Sequence, residues 1–323
     1  MRFFSFVRRR LAVVALVLAI AVPCFPQIAL RTALDFDKDG KADFPIFRPD
    51  GDTWWIANSG GTYIIQPWGS ANDDYLTPGD FDGDGKADIA IWRTTNGLWF
   101  RINSSDNTVS INAWGTTGDE PVARDYDGDG KTDLAVVRRS PGAMVWWILK
   151  SSSNNTEASV AQSGLDTDFT APGDYDGDGK FDIAISRPGS GSDGQAVFWV
   201  LTSGSPGVII QPWGITRDLN VPGDYDGDGK TDFAIVREGD TPTSPLIWWI
   251  LRSKDNQLMV FSWGQTGTDI IVQNDYDGDG ITDPAVYRDP EGSFYVLRSS
   301  DSGGTFMQWG QSGDYPVAAY DTH

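Results

Sequence analysis

The chain reads as an all-β protein assembled from one repeated unit, and three observations carry that reading. A nine-residue stretch, Asp80-Phe-Asp-Gly-Asp-Gly-Lys-Ala-Asp88, recurs with little change at Asp35, Asp125, Asp174, Asp224 and Asp275. The spacings of 45, 45, 49, 50 and 51 residues suit one four-stranded blade each. Between the stretches lie short runs rich in β-branched and aromatic residues, broken by Gly, Ser, Asn and Asp, and no segment past the N-terminal leader keeps a helical period. These observations predict a β-propeller of four-stranded antiparallel blades, six by the count of Asp stretches, with seven as the alternative. An open superhelix or a sandwich array fits less well.

The N-terminus reads as an export signal. Arg2, Arg8, Arg9 and Arg10 precede an apolar run from Leu11 to Val22, too short to span a bilayer comfortably. The expected organisation is a signal peptide over residues 1–29 and one propeller domain over 30–323, with secretion, surface display or a periplasmic location. Cys24 follows a proline, which disfavours a lipoprotein site there. No membrane insertion is expected once the signal is gone.

Each unit parses in the same order. A short extended segment such as Val221-Pro222-Gly223 leads into the Asp loop. A β run such as Ile89–Arg93 follows, and then an aromatic strand, Trp54-Trp55-Ile56 or Trp248–Leu251. A polar turn leads to a fourth strand ending in Trp-Gly at Trp68, Trp114, Trp213, Trp263 and Trp309. The third unit departs from this, its closing segment Val160–Gly164 having no Trp. A seventh repeat starts at Ala319-Tyr320-Asp321 and stops; the nearby segment Val317–Tyr320 is the candidate for a closing strand.

Composition narrows the chemistry. The sequence holds 45 Asp+Glu against 25 Lys+Arg, a formal charge of −20, which argues against nucleic acid as a partner. Of those acids 41 are Asp and only 4 are Glu, and Asp is the residue of turns and oxygen-ligand metal loops. The sole histidine is His323 and the sole cysteine Cys24. Ser-His-Asp and Cys-His nucleophiles, His/Cys metal sites and intrachain disulfides are therefore excluded. Glu120, Glu157, Glu238 and Glu291 are scattered, so no catalytic constellation is identified and an enzyme is not expected.

The Asp loops read as calcium sites. Acids stand at loop positions 1, 3, 5 and 9, Gly stands at 6, and position 7 offers a backbone carbonyl. The ligand sets are Asp35, Asp37, Asp39, Lys41 and Asp43; Asp80, Asp82, Asp84, Lys86 and Asp88; and Asp125, Asp127, Asp129, Lys131 and Asp133. Those of the later units are Asp174, Asp176, Asp178, Lys180 and Asp182; Asp224, Asp226, Asp228, Lys230 and Asp232; and Asp275, Asp277, Asp279, Ile281 and Asp283. Several hard oxygens on a flexible loop suit Ca²⁺ better than Mg²⁺, and four carboxylates in nine residues repel one another without a cation. An EF-hand is excluded because position 12 is Ile46, Ile91, Val136, Ile185, Ile235 or Val286 instead of Glu. About six structural Ca²⁺ are expected.

This D-x-D-x-D-G-x-x-D loop followed by an apolar strand resembles the FG-GAP/VCBS-type repeat, the calcium-loop blade also found in integrin α-subunit propellers, and the likeness covers residues 31–321. The resemblance implies an extracellular or surface propeller with diverse partners, and commonly seven blades.

Three further patterns have structural readings. An arginine lies five residues past each loop (Arg48, Arg93, Arg138, Arg187, Arg237, Arg288) and reads as an ion pair or carbonyl contact between blades instead of a ring of anion contacts. The periodic Trp residues read as inter-blade packing. Gly189–Gly194 matches G-x-G-x-x-G but sits between two β runs, so it is a loop and no dinucleotide site.

In an up-and-down blade the first and third connections share one face, and the second and fourth share the other. The second connections are lengthened at Arg139–Val145, Pro188–Val197 and Glu238–Ile247. A protein or carbohydrate ligand is expected on that face, opposite the calcium loops. The leading expectation is a monomeric binding or adhesion module; the alternatives are a carbohydrate-active propeller (lectin or polysaccharide lyase) and a cell-surface scaffold.

Overall fold

A computed structural model describes residues 34–205 and 207–318. The leader with Cys24, His323 and the partial repeat Ala319–Asp321 lie outside the described residues. The chain forms six four-stranded antiparallel sheets arranged as the blades of a propeller, with two short 3₁₀ turns as its only helical pieces among the described residues.

The second blade is β4 (Asp74–Leu76), β5 (Ile89–Arg93), β6 (Leu98–Ile102) and β7 (Val109–Ala113). The third is β8 (Glu120–Pro121), β9 (Leu134–Ser140), β10 (Ala143–Leu149) and β11 (Ala158–Gln162). The fourth is β12 (Phe169–Thr170), β13 (Ile183–Arg187), β14 (Gln195–Leu201) and β15 (Val208–Ile215). The fifth is β16 (Leu219–Asn220), β17 (Phe233–Arg237), β18 (Pro245–Leu251) and β19 (Leu258–Gln265). The sixth is β20 (Asp269–Ile271), β21 (Ala285–Arg288), β22 (Ser293–Leu297) and β23 (Gly304–Gln308).

The first blade closes the ring. Its β1 (Phe44–Arg48), β2 (Thr53–Ala57) and β3 (Tyr63–Pro67) come from the start of the described chain, while its innermost strand is β24 (Tyr315–Pro316) from the end. Ile46 pairs with Pro316 and Phe47 with Tyr315, and the Val317 amide adds a 3.0 Å bond to Pro45 O. The C-terminal strand therefore completes the first blade, and the described residues form six blades without a seventh. It lies just ahead of the Val317–Tyr320 segment expected from sequence, because the register on β1 pairs Tyr315 and Pro316 with Phe47 and Ile46.

The alternation of each second and third strand sends one set of side chains into fully buried contacts with the neighbouring blade. Trp54, Trp92, Trp99, Trp146, Trp248, Phe198 and Phe294 are among the largest side chains with essentially no exposure. The Trp-Gly tryptophans join blade to blade. The indole Nε1 of Trp68, Trp114, Trp213, Trp263 and Trp309 donates to the third-strand carbonyl of Phe100, Trp147, Trp249, Tyr295 and Trp55 in the next blade. The third blade has no such tryptophan, so Trp199 in the fourth receives none.

The recurrent arginines are structural, as expected, but they act within a blade and not between blades. Each second-strand arginine grips an Asp at the start of the innermost strand: Arg48–Asp314, Arg93–Asp74, Arg138–Asp119, Arg187–Asp168, Arg237–Asp218 and Arg288–Asp269, at 2.7–2.8 Å. The six carboxylates are buried, their side chains at most 1% exposed. The guanidinium also stacks on the third-strand aromatic of its own blade, 4.6–5.4 Å from the ring centre of Trp55, Phe100, Trp147, Trp199, Trp249 or Tyr295. The innermost strand has only two or three residues, so this pair does much to hold it.

The lengthened second connections are partly taken up as strand. In the third blade Arg139–Ser140 and Ala143–Met144 extend β9 and β10, leaving Pro141-Gly142 as the turn. In the fourth and fifth blades the extra residues lengthen β14 and β18 and pair with long outer strands through a bulge.

Removing one guanidinium strands a buried carboxylate. Arg237→Ala is expected to cost about 3 kcal/mol in chemical denaturation. The double change Arg237→Ala/Asp218→Ala should recover part of that loss. Equal stabilities for Arg237→Ala and the parent would refute the role given to the pair.

Candidate metal centres

Each Asp loop joins the innermost strand of its blade to the second strand. The position-1 carboxylate folds back into its own loop. In the second loop the amides of Gly83 and Gly85 donate to the two oxygens of Asp80 at 2.6 and 2.8 Å. The pattern repeats at Asp35, Asp125, Asp174, Asp224 and Asp275. The position-6 glycines adopt φ of +84° to +88° (Gly40, Gly85, Gly130, Gly179, Gly229, Gly280), a left-handed conformation that side chains resist. Lys38 takes the same region at position 4 of the first loop, φ +66°, where the other loops have Gly.

Position 9 is the buried end of the site. Asp43, Asp88, Asp133, Asp182, Asp232 and Asp283 are at most 1% exposed. Each accepts the position-2 amide on one oxygen (Phe36, Phe81, Tyr126, Tyr175, Tyr225, Tyr276). The position-7 amide (Lys41, Lys86, Lys131, Lys180, Lys230, Ile281) donates to the position-5 carboxylate at 2.8–3.0 Å. Positions 3 and 5 stand nearer solvent. Carboxylate oxygens of positions 1, 3 and 9 lie within 4.8 Å of one another in loops two to five, as do those of Asp35, Asp37 and Asp39 in the first. In the sixth, the Asp277 amide donates to Asp283 at 3.1 Å.

A serine missed by the sequence reading completes each centre. Ser59, Ser104, Ser151, Ser203, Ser253 and Ser299, at the start of the third connection, donate their amides to the second oxygen of position 9 at 2.6–2.7 Å. Their hydroxyls donate to the position-5 carboxylate, as in Ser104–Asp84 and Ser203–Asp178 at 2.9 and 2.7 Å. The following residue approaches position 3, for instance the Ser105 and Ser152 hydroxyls on Asp82 and Asp127. First and third connections therefore do share a face. The available signal was a serine just past every aromatic strand, concealed by its variable distance from the loop.

The loops are also tied to one another. The position-8 amide of each loop donates to the position-1 carbonyl of the preceding one, at 2.6–2.8 Å: Ala42 to Asp275, Ala87 to Asp35, Thr132 to Asp80, Phe181 to Asp125, Thr231 to Asp174 and Thr282 to Asp224. The circle of six is closed. Position 7 lies over the preceding loop as well, with Lys131 Nζ 3.0 Å from Asp82 O.

The charge balance of these centres suits a cation. Burial, with smaller contributions from neighbouring carboxylates, pushes Asp43 and Asp232 up to about 7 and Asp88, Asp133, Asp174, Asp182 and Asp283 to about 6. Backbone donors offset only part of this. Asp127 Oδ1 and Asp226 Oδ1 are buried and find no donor. Carboxylates this close, with orphaned oxygens, fit a hard metal ion.

Residues 35–91 and 125–185 match the family model of the FG-GAP-like repeat. These two stretches, which carry the first four Asp loops, are FG-GAP-like repeats. No curated protein sequence matches the chain. Among solved structures it is similar to a lectin of Agrocybe aegerita that recognises non-reducing terminal N-acetylglucosamine, at 15% identity, 90% coverage of this chain, 93% of that one and a TM-score of 0.52. It also resembles apo AztD of Citrobacter koseri, at 11% identity, 84% and 81% coverage and a TM-score of 0.40. At these identities the lectin likeness speaks for the fold, a propeller spanning both chains.

The raised carboxylates set the pH response of the FG-GAP loops without metal. Folded, they hold protons up to pH 6–7; unfolded, an Asp releases its proton near 3.9. The folded state carries more protons across that window, so stability falls as pH rises through it. Chelated protein is expected to melt higher at pH 5 than at pH 8, and saturating divalent cation should flatten or reverse the difference. A chelated melting temperature that rises from pH 5 to pH 8 would contradict this.

Proposed function

We propose that the protein is a calcium-stabilised binding module, exported to the cell surface, periplasm or medium, that engages a protein or glycan partner through the face opposite its Asp loops. The carrying observation is the division of labour between the faces. Six near-identical, hydrogen-bonded acid loops occupy one of them, while connections of unequal length surround the channel mouth on the other. Calcium would be held by positions 1, 3, 5 and 9 with the position-7 carbonyl. Its chemistry there is to neutralise the buried carboxylates and fix the loop.

Linkage gives the scale: calcium at ten times its dissociation constant adds about 1.4 kcal/mol per site. Calcium should raise the melting temperature strongly, with about six ions per chain by elemental analysis. Asp226→Ala/Asp228→Ala should lower that number by one. An unchanged number would sink the assignment of the fifth loop, and little bound metal would sink the calcium reading as a whole.

A glycan-binding reading is favoured over a scaffold by the fold shared with a lectin. On a glycan array the calcium-loaded protein should bind saturably, and Arg237→Lys should not abolish that binding. Self-association with neither glycan nor protein ligand would favour the scaffold.

A further inference from the structure

The residue after each ring-partner Asp faces the central channel. In order around the ring these are Tyr315, Tyr75, Glu120, Phe169, Leu219 and Ile270, and all six line one of two cavities on the axis. Five are apolar or aromatic and one is an acid. Glu120 does not stand alone, because Arg139 grips it with Nε and Nη2 at 2.7 and 3.0 Å. Arg139 is itself an exception: the equivalent positions in the other blades are Pro49, Thr94, Pro188, Glu238 and Asp289. Of the six blades, the third is the one in which an acid on the innermost strand meets a cation at this second-strand position.

The pair sits at the wall of a cavity of about 480 Å³, within the range of small-molecule sites. Residues of the fourth connections, including Asp166, Thr167, Thr216 and Arg217, complete the lining, which places it at the channel mouth away from the Asp loops. Arg139 Nη1 also donates to the carbonyls of Asp166 and Asp168, at 2.9 and 2.6 Å. The segment leading into Phe169 is thereby fixed. The Phe169 ring is 46% exposed beside it, and the Arg139 and Glu120 side chains are 25% and 38% exposed. The six recurrent arginine pairs bury their carboxylate; this one leaves both side chains partly exposed on the cavity wall.

We propose that this mouth is a subsite for a neutral saccharide unit, a reading that rests on the binding-module function above. With four of its five N–H groups given to Glu120, Asp166 and Asp168, Arg139 keeps one Nη2 hydrogen beside the remaining lone pairs of the Glu120 carboxylate, and one donor next to acceptors is the complement of two vicinal hydroxyls. An anion would meet Glu120 and a cation would meet Arg139, whereas a neutral polyol uses both. Phe169 and Tyr75 supply the apolar surface on which the C–H face of a pyranose packs. Arg217 at the rim is partnered by Asp193 at 3.2 Å, so the lining offers no free cation for an acidic sugar.

The test uses the calcium-loaded full chain and methyl glycosides of N-acetylglucosamine, glucose, galactose and mannose, with their β-linked disaccharides, titrated by calorimetry and saturation-transfer NMR. At least one probe should bind saturably. Glu120→Gln and Phe169→Ala should each weaken it about tenfold or more, with melting temperatures unchanged, while Tyr63→Ala on the outer strand should leave it as it is. Saccharide binding that survives both pocket changes would overturn the subsite and leave the module's function standing, with the sugar held elsewhere. Failure of every probe to bind the parent protein would overturn the subsite as well. A protein ligand engaging the same face would then identify the surviving reading.

Discussion

The structure depends on a circle of six backbone hydrogen bonds, in which each Asp loop lends its first carbonyl to the eighth amide of the next. Blades of a propeller touch only their neighbours, so the ring is as sound as its seams. These bonds put a seam inside every Asp loop: the residue whose carboxylate organises one loop also anchors the backbone of the following one. The Asp275–Ala42 link joins the last unit to the first, beside the strand exchange that seats Tyr315–Pro316 on β1. Loop geometry and ring closure are thus one problem, and a cation that orders a loop also orders the contact to its neighbour.

Much of this was legible in the sequence because the repeat is strict where the physics is strict. The loop needs acids at fixed positions and a glycine that tolerates positive φ, so Asp80–Asp88 and its copies survive nearly unchanged. The β run Ile89–Arg93 coincides with β5, since its apolar residues must be buried on both faces. Six blades followed from counting loops, whereas the closing strand, expected at Val317–Tyr320, is Tyr315–Pro316 and supplies the innermost strand of the first blade.

What escaped lay in pairs joined across variable lengths. The serine clamps are 16 residues past Asp88 but 21 past Asp182, so no fixed spacing revealed them. The partner of each recurrent arginine was hidden differently. Asp74 stands 19 residues before Arg93, as Asp218 does before Arg237, yet it is one of 41 aspartates. For Arg48 the partner is 266 residues away. Expecting the arginines to join blades overlooked how little else fastens a two-residue strand. The inserted residues after Arg138 were read as loop because their number, not their pairing, is what a sequence displays.

The tryptophan absent from the third unit has a consequence for how two of the blades are joined. Every other blade reaches its successor with an indole; between the third and fourth, the reach is made by Arg139 on the opposite face, through the carbonyls of Asp166 and Asp168. That boundary trades a half-buried indole and its hydrogen bond for a guanidinium contact, whose strength varies with salt and solvent. The seam keeps the Phe181 amide on Asp125 O and the Tyr126–Phe181 ring contact on the Asp-loop face, while on the other face Glu120 and Phe169 stand on its two sides. The residues that set the mouth apart from the rest of the ring are thus the ones that join its third and fourth blades on that face.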